Sequence, residues 1–461
     1  MKDVVLINPN YVKAEKNYDI NFHLAVQRYP PLHLAYLASS LEEANISVAI
    51  IDAAALNLSD DETVKLLKRY KPRFVGIYVN SFFLPVVYNL IQKIRSSIDC
   101  TIIVGGPHIT YQPNSIIKLG ADFGFSGESE NAFKEFLNGN KKNETPGLIY
   151  KNSNYVKINN PEYIKDLDSL PFPARHLLPN EKYYNPFFNG KITTMITSRG
   201  CPFDCIFCAR VVKRRYREVS VERVMDEIEH IVNMGFGYVQ MQDDTFSINK
   251  RRIEKICKEV IKRGFDINWG CETRADSLDR KLIDLMKRAG CTNVQFGVES
   301  GSERVRNKII RKNLSTAAIK KATKDLKEAG IETTAYFMFG HPTETYYEMK
   351  KTVEFAMSLN LDYLDFHLSV PIPGSRLFKI ACKENKITEN IWDDVILGEQ
   401  IPIYVPDGVT LEQMVDLQKK AYIQFYFNIP MLIKILKTTK DFHDLSLKIK
   451  TGLIVLKNKC L

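Results

Sequence analysis

Three cysteines within eight residues, Cys201, Cys205 and Cys208, are the part of the chain best suited to chemistry. Thiolates are soft ligands for zinc, copper(I) or iron-sulfur clusters, and C-x3-C-x2-C lets one tight loop turn all three sulfurs inward. Three ligands leave one iron of a [4Fe-4S] cube open to a small molecule, much as a catalytic zinc keeps one position open. Residue type alone also allows a zinc site completed by a distant fourth ligand, or buried cysteines that only pack. Structural zinc sites usually pair their ligands as C-x2-C and H-x3-H, which is not the pattern here.

The elements around the loop place it. From Ile192 onward the strand patterns Thr193 to Thr197, Tyr238 to Met241, Ile267 to Cys271, Asn293 to Val298, Thr333 to Phe339 and Tyr363 to Leu368 alternate with basic amphipathic helices. Six βα units predict a partial (βα)6 barrel of the TIM type over 192–375, with the cysteine loop at the carboxyl-end face where barrel enzymes keep their chemistry. Asp243-Asp244-Thr245-Phe246, Glu272-Thr273-Arg274, Glu299-Ser300-Gly301-Ser302 and Gly340-His341-Pro342-Thr343-Glu344 end later strands and converge on that face.

Ahead of the barrel, residues 1–138 alternate strands (Val4 to Ile7, Val48 to Ile51, Phe74 to Val79, Thr101 to Val104, Asp122 to Phe125) with helical patterns. This is the signature of a doubly wound, Rossmann-like parallel sheet, which binds ligands beyond the carboxyl ends of its strands. Asn8, Asn80-Ser81, Gly105-Gly106-Pro107-His108 and Gly127-Glu128 lie at those ends. Neither G-x-x-x-x-G-K-[ST] nor G-x-G-x-x-G occurs, so nucleotide binding has little support. Residues 139–191 read as a linker with a small hairpin around Asn152-Ser153-Asn154, and 376–461 as a helical extension.

The chain has 461 residues, 45% of them hydrophobic, with nine cysteines and a net charge of +10. Met1-Lys2-Asp3 leads directly into a strand, so no signal peptide is expected, the cysteines are expected to be reduced and the compartment cytoplasmic. No run approaches the ~20 apolar residues of a membrane span. The positive charge does not argue for nucleic acid, because residues 429–461 hold seven lysines against two aspartates, a net +5. That lysine-rich, aliphatic tail suits either a packed helix or peripheral membrane contact.

Cys201, Cys205 and Cys208, with Phe207 just before the last, resemble the signature of the radical S-adenosylmethionine (SAM) superfamily. The resemblance implies a [4Fe-4S] cluster whose open iron chelates the amino and carboxylate groups of SAM, reductive cleavage to a 5′-deoxyadenosyl radical, and an external one-electron donor such as flavodoxin or ferredoxin. It puts Phe207 beside SAM, Asp243 and Asp244 at the amino group, Glu299 and Ser300 at the ribose, and Arg274 or Arg311 at the carboxylate. The first unit is similar to the cobalamin-binding domain that precedes many such cores, where a serine like Ser81 and a pair like Gly105-Gly106 line the slot for the nucleotide tail. Asn8, Gly127 and Glu128 complete that implied set. The Asp-x-His-x-x-Gly motif is absent, which implies base-off cobalamin with no histidine on cobalt; His33 and His108 are the substitutes available.

What this resemblance implies is methylation of an unactivated carbon in a small-molecule or lipid-like substrate, with S-adenosylhomocysteine and 5′-deoxyadenosine both released. Cyclisation, oxidation or rearrangement with the same cofactors stays open, as does a non-catalytic iron-sulfur or cobalamin sensor. A tRNA methylthiotransferase fits poorly, since that family's first domain carries three cluster cysteines and this one holds only Cys100.

Overall fold

The computed structural model describes residues 2–11, 28–152, 155–185, 188, 190–209, 211 and 215–428. The lysine-rich tail, residues 429–461 of the expected helical extension, lies outside the described residues.

The first unit alternates β1 (Val4–Asn8), α1 (Leu32–Glu43), β2 (Val48–Asp52), α2 (Asp60–Tyr70), β3 (Phe74–Tyr78), α3 (Leu84–Arg95), β4 (Thr101–Gly105), α4 (Pro107–Tyr111), α5 (Ser115–Leu119), β5 (Phe123–Phe125) and α6 (Glu130–Leu137). Its valine and isoleucine runs are buried on both faces, as parallel strands covered by helices must be. The parallel order is β2-β1-β3-β4-β5, so the winding reverses between β1 and β3 and opens a crevice at the carboxyl ends.

The hairpin forms as β6 (Leu148–Asn152) and β7 (Tyr155–Ile158), and β6 pairs antiparallel with β5. The sheet therefore has seven strands and takes in part of the stretch that reads as linker. Sequence periodicity does not reveal such an addition, because it depends on which backbone groups β5 leaves unpaired.

The second unit runs through β8 (Ile192–Met195), β9 (Ser198–Arg199), β10 (Arg217–Glu218), α7 (Val221–Asn233), β11 (Tyr238–Met241), α8 (Lys250–Arg263), β12 (Asn268–Thr273), α9 (Arg280–Arg288), β13 (Cys291–Glu299), α10 (Thr316–Glu328), β14 (Glu332–Phe339), α11 (Tyr346–Ser358) and β15 (Tyr363–Leu368). Six strands pair in parallel in the order β8-β11-β12-β13-β14-β15, the partial barrel expected. Ser220, Asn249 and Asp279 cap α7, α8 and α9 through their side chains, and Gly264 ends α8 in the left-handed conformation.

Three further helices follow: α12 (Arg376–Lys383), α13 (Ile391–Ile396) and α14 (Leu411–Tyr426). Trp392, Val395 and Ile396 of α13 join the core of the first unit beside Leu90 and Ile94. On the other side, the Tyr422 and Tyr426 hydroxyls of α14 accept hydrogen bonds from the Phe366 and Leu364 N–H groups at 2.9 and 3.1 Å. That covers the backbone of β15, an edge strand that would otherwise present open N–H groups. The extension thus straps the two units together. No helix among the described residues is long and apolar enough to cross a membrane.

Candidate active site

The cysteine loop is an excursion between two paired strands. Ser198 and Arg199 of β9 pair antiparallel with Glu218 and Arg217 of β10, so residues 200–216 leave and return at one place. Gly200 has φ +87, and an added Cβ would run into the Arg215 carbonyl oxygen, which only glycine tolerates. Its N–H donates to Asp244 Oδ2 at 2.9 Å. Asp243, buried beneath, accepts from the Thr197 N–H, the Thr197 hydroxyl and the Ser198 hydroxyl, each at 2.6 Å. Burial raises the pKa of this carboxyl and the three donors work against that rise. The second strand's acidic pair therefore divides its work, Asp243 bracing the floor of the loop and Asp244 holding its entrance.

One cavity of about 380 Å³ gathers Cys201, Cys205, Cys208, Phe207, Asp244, Arg274 and Glu299. Asp243, Ser300 and Arg311 are placed elsewhere. Ser300 is buried against Thr352, hydroxyl to hydroxyl at 3.1 Å, and Arg311 is half-exposed with Asp204 at 3.7 Å. Arg274 makes a two-pronged contact with Asp276, at 2.9 and 2.7 Å, while its guanidinium lies 3.8 Å from the centre of the Phe203 ring. Glu299 pairs with Lys312 at 2.6 Å, and Arg304 pairs with Glu348 at 2.7 Å. To reach Lys312 the chain leaves β13 through Glu299 at φ +69 and passes a π-helical turn, Arg304–Ile309. A non-glycine residue held in that region costs about 1–3 kcal/mol and is characteristic of functional sites.

The thiols suit a cluster. Among the described residues no three His, Cys, Asp or Glu side chains converge closely enough to hold one metal ion, whereas a cube presents its irons at separate corners and needs its thiolates spread over one cavity. Cys201 Sγ lies 3.4 Å from the Thr245 hydroxyl. Burial pushes the Cys205 thiol up, opposed by the Lys312 ammonium.

At the carboxyl edge of the first sheet, a Cβ on Gly105 would meet nothing closer than the Phe125 carbonyl at 4.0 Å, so ligand atoms can approach that backbone. Gly106 has φ +120, again a glycine conformation. His33 is exposed and lies tilted beside Tyr78, 4.0 Å between ring centres, and the surrounding protein holds its pKa down to about 4. His108 is sealed: Ser81 and Ser115 hydroxyls engage its two ring nitrogens at 3.0 Å each, and burial lowers its pKa to about 3. Asn8 donates to buried Asp52 at 2.9 Å, and Glu128 is held by two arginines. A larger, open groove of about 640 Å³, with Arg73, Arg95 and Lys142 on it, lies at the opposite edge of this sheet and holds none of these residues.

The radical SAM superfamily profile matches residues 195–356, and the B12 binding domain profile matches 19–137. An uncharacterized methyltransferase, PH0819 of Pyrococcus horikoshii, is 34% identical over 420 residues, covering 88% of this chain and 89% of that protein. The chain belongs to the cobalamin-binding radical SAM family. An anaerobic magnesium-protoporphyrin IX monomethyl ester cyclase of Rubrivivax gelatinosus is 27% identical, over 92% of this chain and 77% of its own length. In fold, the solved structure of the cobalamin-dependent SAM radical enzyme OxsB with aqua-cobalamin bound is similar at TM-score 0.73 and 17% identity, covering 99% of this chain and 71% of that one.

Within this radical SAM chain, several cavity residues escape sequence reasoning: Lys312, Gln295, Tyr336, Met338 and His367. The available signal was residue alternation inside strands, which puts Tyr336 with Met338, and Asp365 with His367, on one face of each strand. Tyr336 hydrogen-bonds Gln295, and buried Asp365 pairs with His367 Nε2 at 3.1 Å. Asp365 and His367 lie beyond the superfamily match.

Glu344 offers a pH test of the radical SAM core. Its Oε2 accepts from the Gly340 and His341 N–H groups at 2.9 and 3.0 Å, and burial raises its pKa from 4.5 to about 8. A carboxyl whose folded pKa is raised favours the fold below its unfolded pKa, and that contribution is lost as pH rises through the folded value, at about 1.4 kcal/mol per pH unit. Glu344→Gln keeps an acceptor and cannot ionise. Its stability relative to the parent, followed by thermal unfolding, should grow from near zero at pH 4.5 to a plateau above about pH 8. A pH-independent difference would exclude the raised pKa.

Proposed function

We propose that this protein carries a [4Fe-4S] cluster on Cys201, Cys205 and Cys208 and uses SAM and base-off cobalamin to methylate an unactivated carbon of a small molecule. The observation that carries this reading is the one cavity on which three thiols, Asp244, Arg274 and the Glu299–Lys312 pair meet. When bound, these cofactors supply a hydrogen-abstracting radical and a transferable methyl group.

The protein's own work is to bind, orient and exclude water. Asp244 presents a carboxylate suited to the SAM amino group, and the Arg274 guanidinium a flat fork suited to its carboxylate. Glu299, steadied by Lys312, suits a ribose diol. Phe203, Phe207, Phe296 and Met338 form the apolar lining that keeps a radical from solvent. In the first unit Gly105 and Gly106 allow close backbone approach by cobalamin, and neither ring nitrogen of His108 is available to cobalt. A separate one-electron carrier of the flavodoxin or ferredoxin kind supplies reducing equivalents.

The cavity also bears on substrate class. Glu272, Gln295, Tyr336 and His367 give one part of its wall a polar character beside the phenylalanines and Met338, and covering such a wall removes it from water. A mixed lining of this kind suits a substrate with both polar and apolar parts. A second reading, cyclisation with the same cofactors, draws on the similarity to the Rubrivivax cyclase across nearly the whole chain.

Anaerobic reconstitution with iron, sulfide, hydroxocobalamin, dithionite and SAM, followed by mass analysis of the SAM fragments, tests both. Methylation predicts S-adenosylhomocysteine together with 5′-deoxyadenosine; 5′-deoxyadenosine alone supports cyclisation. Release of neither fragment overturns both readings.

A further inference from the structure

Glu128 and Glu130 follow Gly127 at the carboxyl edge of the first sheet, in the turn from β5 into α6. Glu128 Oε1 accepts from Arg199 Nη1 at 3.0 Å and from Arg217 Nη2 at 2.8 Å. Its Oε2 accepts from Arg217 Nη1 at 2.7 Å and from the Ile164 N–H at 2.9 Å. Arg199 Nη2 also pairs with Glu130 at 2.7 Å, and Arg217 donates to the Ile164 carbonyl. The side chains of Arg199, Arg217, Glu128 and Glu130 are only 13, 13, 5 and 10% exposed. Two positive and two negative charges are therefore matched where water cannot screen them.

The position of the two arginines gives this cluster its meaning. Arg199 and Arg217 face each other across β9 and β10, and the chain between them is the cysteine loop. One carboxylate of the first unit holds both ends of the loop that carries Cys201, Cys205 and Cys208. On its own side, that carboxylate is the next residue after Gly127, at the edge where the cobalamin slot lies.

We propose that Glu128 is a positioning residue that couples the two cofactor sites, so that filling the slot in the first unit moves the β5–α6 turn and, through Arg199 and Arg217, changes how tightly SAM is held at the cysteine loop. This rests on the reading that cobalamin occupies the first unit and SAM the barrel. Coupling between sites is reciprocal, so SAM must change cobalamin affinity by the same factor.

The test uses the full chain with its cluster reconstituted anaerobically. SAM affinity is measured by equilibrium dialysis with and without hydroxocobalamin, and cobalamin affinity from its visible absorption with and without SAM. The parent should show the same ratio in both directions, about fivefold or more. Glu128→Gln should bring both ratios to within about twofold of unity while iron per chain is retained. A merely structural tie would weaken both affinities and leave the ratio alone. Should Glu128→Gln fail to take up iron, Arg217→Lys keeps the charge but loses the fork, and its ratio must fall below that of the parent. Equal ratios in parent and variants, or a parent that binds both cofactors with no coupling, overturn the proposal. A parent that binds no cobalamin overturns the functional reading itself, a different and recognisable result.

Discussion

Replacing Cys201, Cys205 or Cys208 by alanine should lower 5′-deoxyadenosine formation from SAM by more than about 100-fold. Partners one step behind a metal ligand are worth 10- to 100-fold, and a ligand itself is worth more. Each thiol lines the same cavity, and the loop offers no spare sulfur, since Cys257, Cys271 and Cys291 are buried in the hydrophobic core of the barrel. Iron content and the visible absorption of the reconstituted protein should fall in parallel. Cys257→Ala is the control: it changes packing without touching the loop and should keep both iron and cleavage. Any of the three alanine variants that still cleaved SAM at the parent rate would remove the central assignment.

Arg175→Met should be the most destabilising single change outside the loop. Arg175 sits in the connecting segment, yet its guanidinium reaches into the barrel, donating to the Thr193 hydroxyl at 3.2 Å, the Thr194 carbonyl at 2.8 Å and Glu227 at 2.6 Å. The side chains of Arg175 and Glu227 are 0 and 2% exposed. Removing one partner leaves an uncompensated buried charge, which costs about 3–5 kcal/mol, and the barrel's thermal transition should drop by roughly 10 °C. Glu227→Leu in the same background should restore much of the loss, because a well-packed apolar pair is often as stable as the ion pair it replaces. If the double variant were no more stable than Arg175→Met, the buried charge would not be the cause.

The loop and the pocket around it were legible to different degrees. Asp244, Arg274 and Glu299 follow strands whose alternation is plain in the sequence, and all three meet the thiols. Asp243, identical in type and adjacent to Asp244, instead braces Thr197 and Ser198. Adjacent residues leaving a strand end point in different directions, and one-dimensional spacing does not distinguish them. Glu128 reads as a ligand contact because of where its strand ends, whereas its carboxylate meets arginines 71 and 89 residues away.

The three-thiol loop, the doubly wound first unit and the six-stranded barrel are all readable from residue order. Each depends on residue type, short spacing or hydrophobic periodicity, which are local properties of the chain. Packing between elements distant in the chain sets the rest: Lys312 meets Glu299, Arg175 reaches Glu227 in a buried ion pair, α13 fastens the extension to the first unit, and Glu128 grips both ends of the cysteine loop. Those choices depend on which surfaces come together after the elements form, where burial removes the water that would otherwise satisfy each charge and only a matching partner offsets the cost.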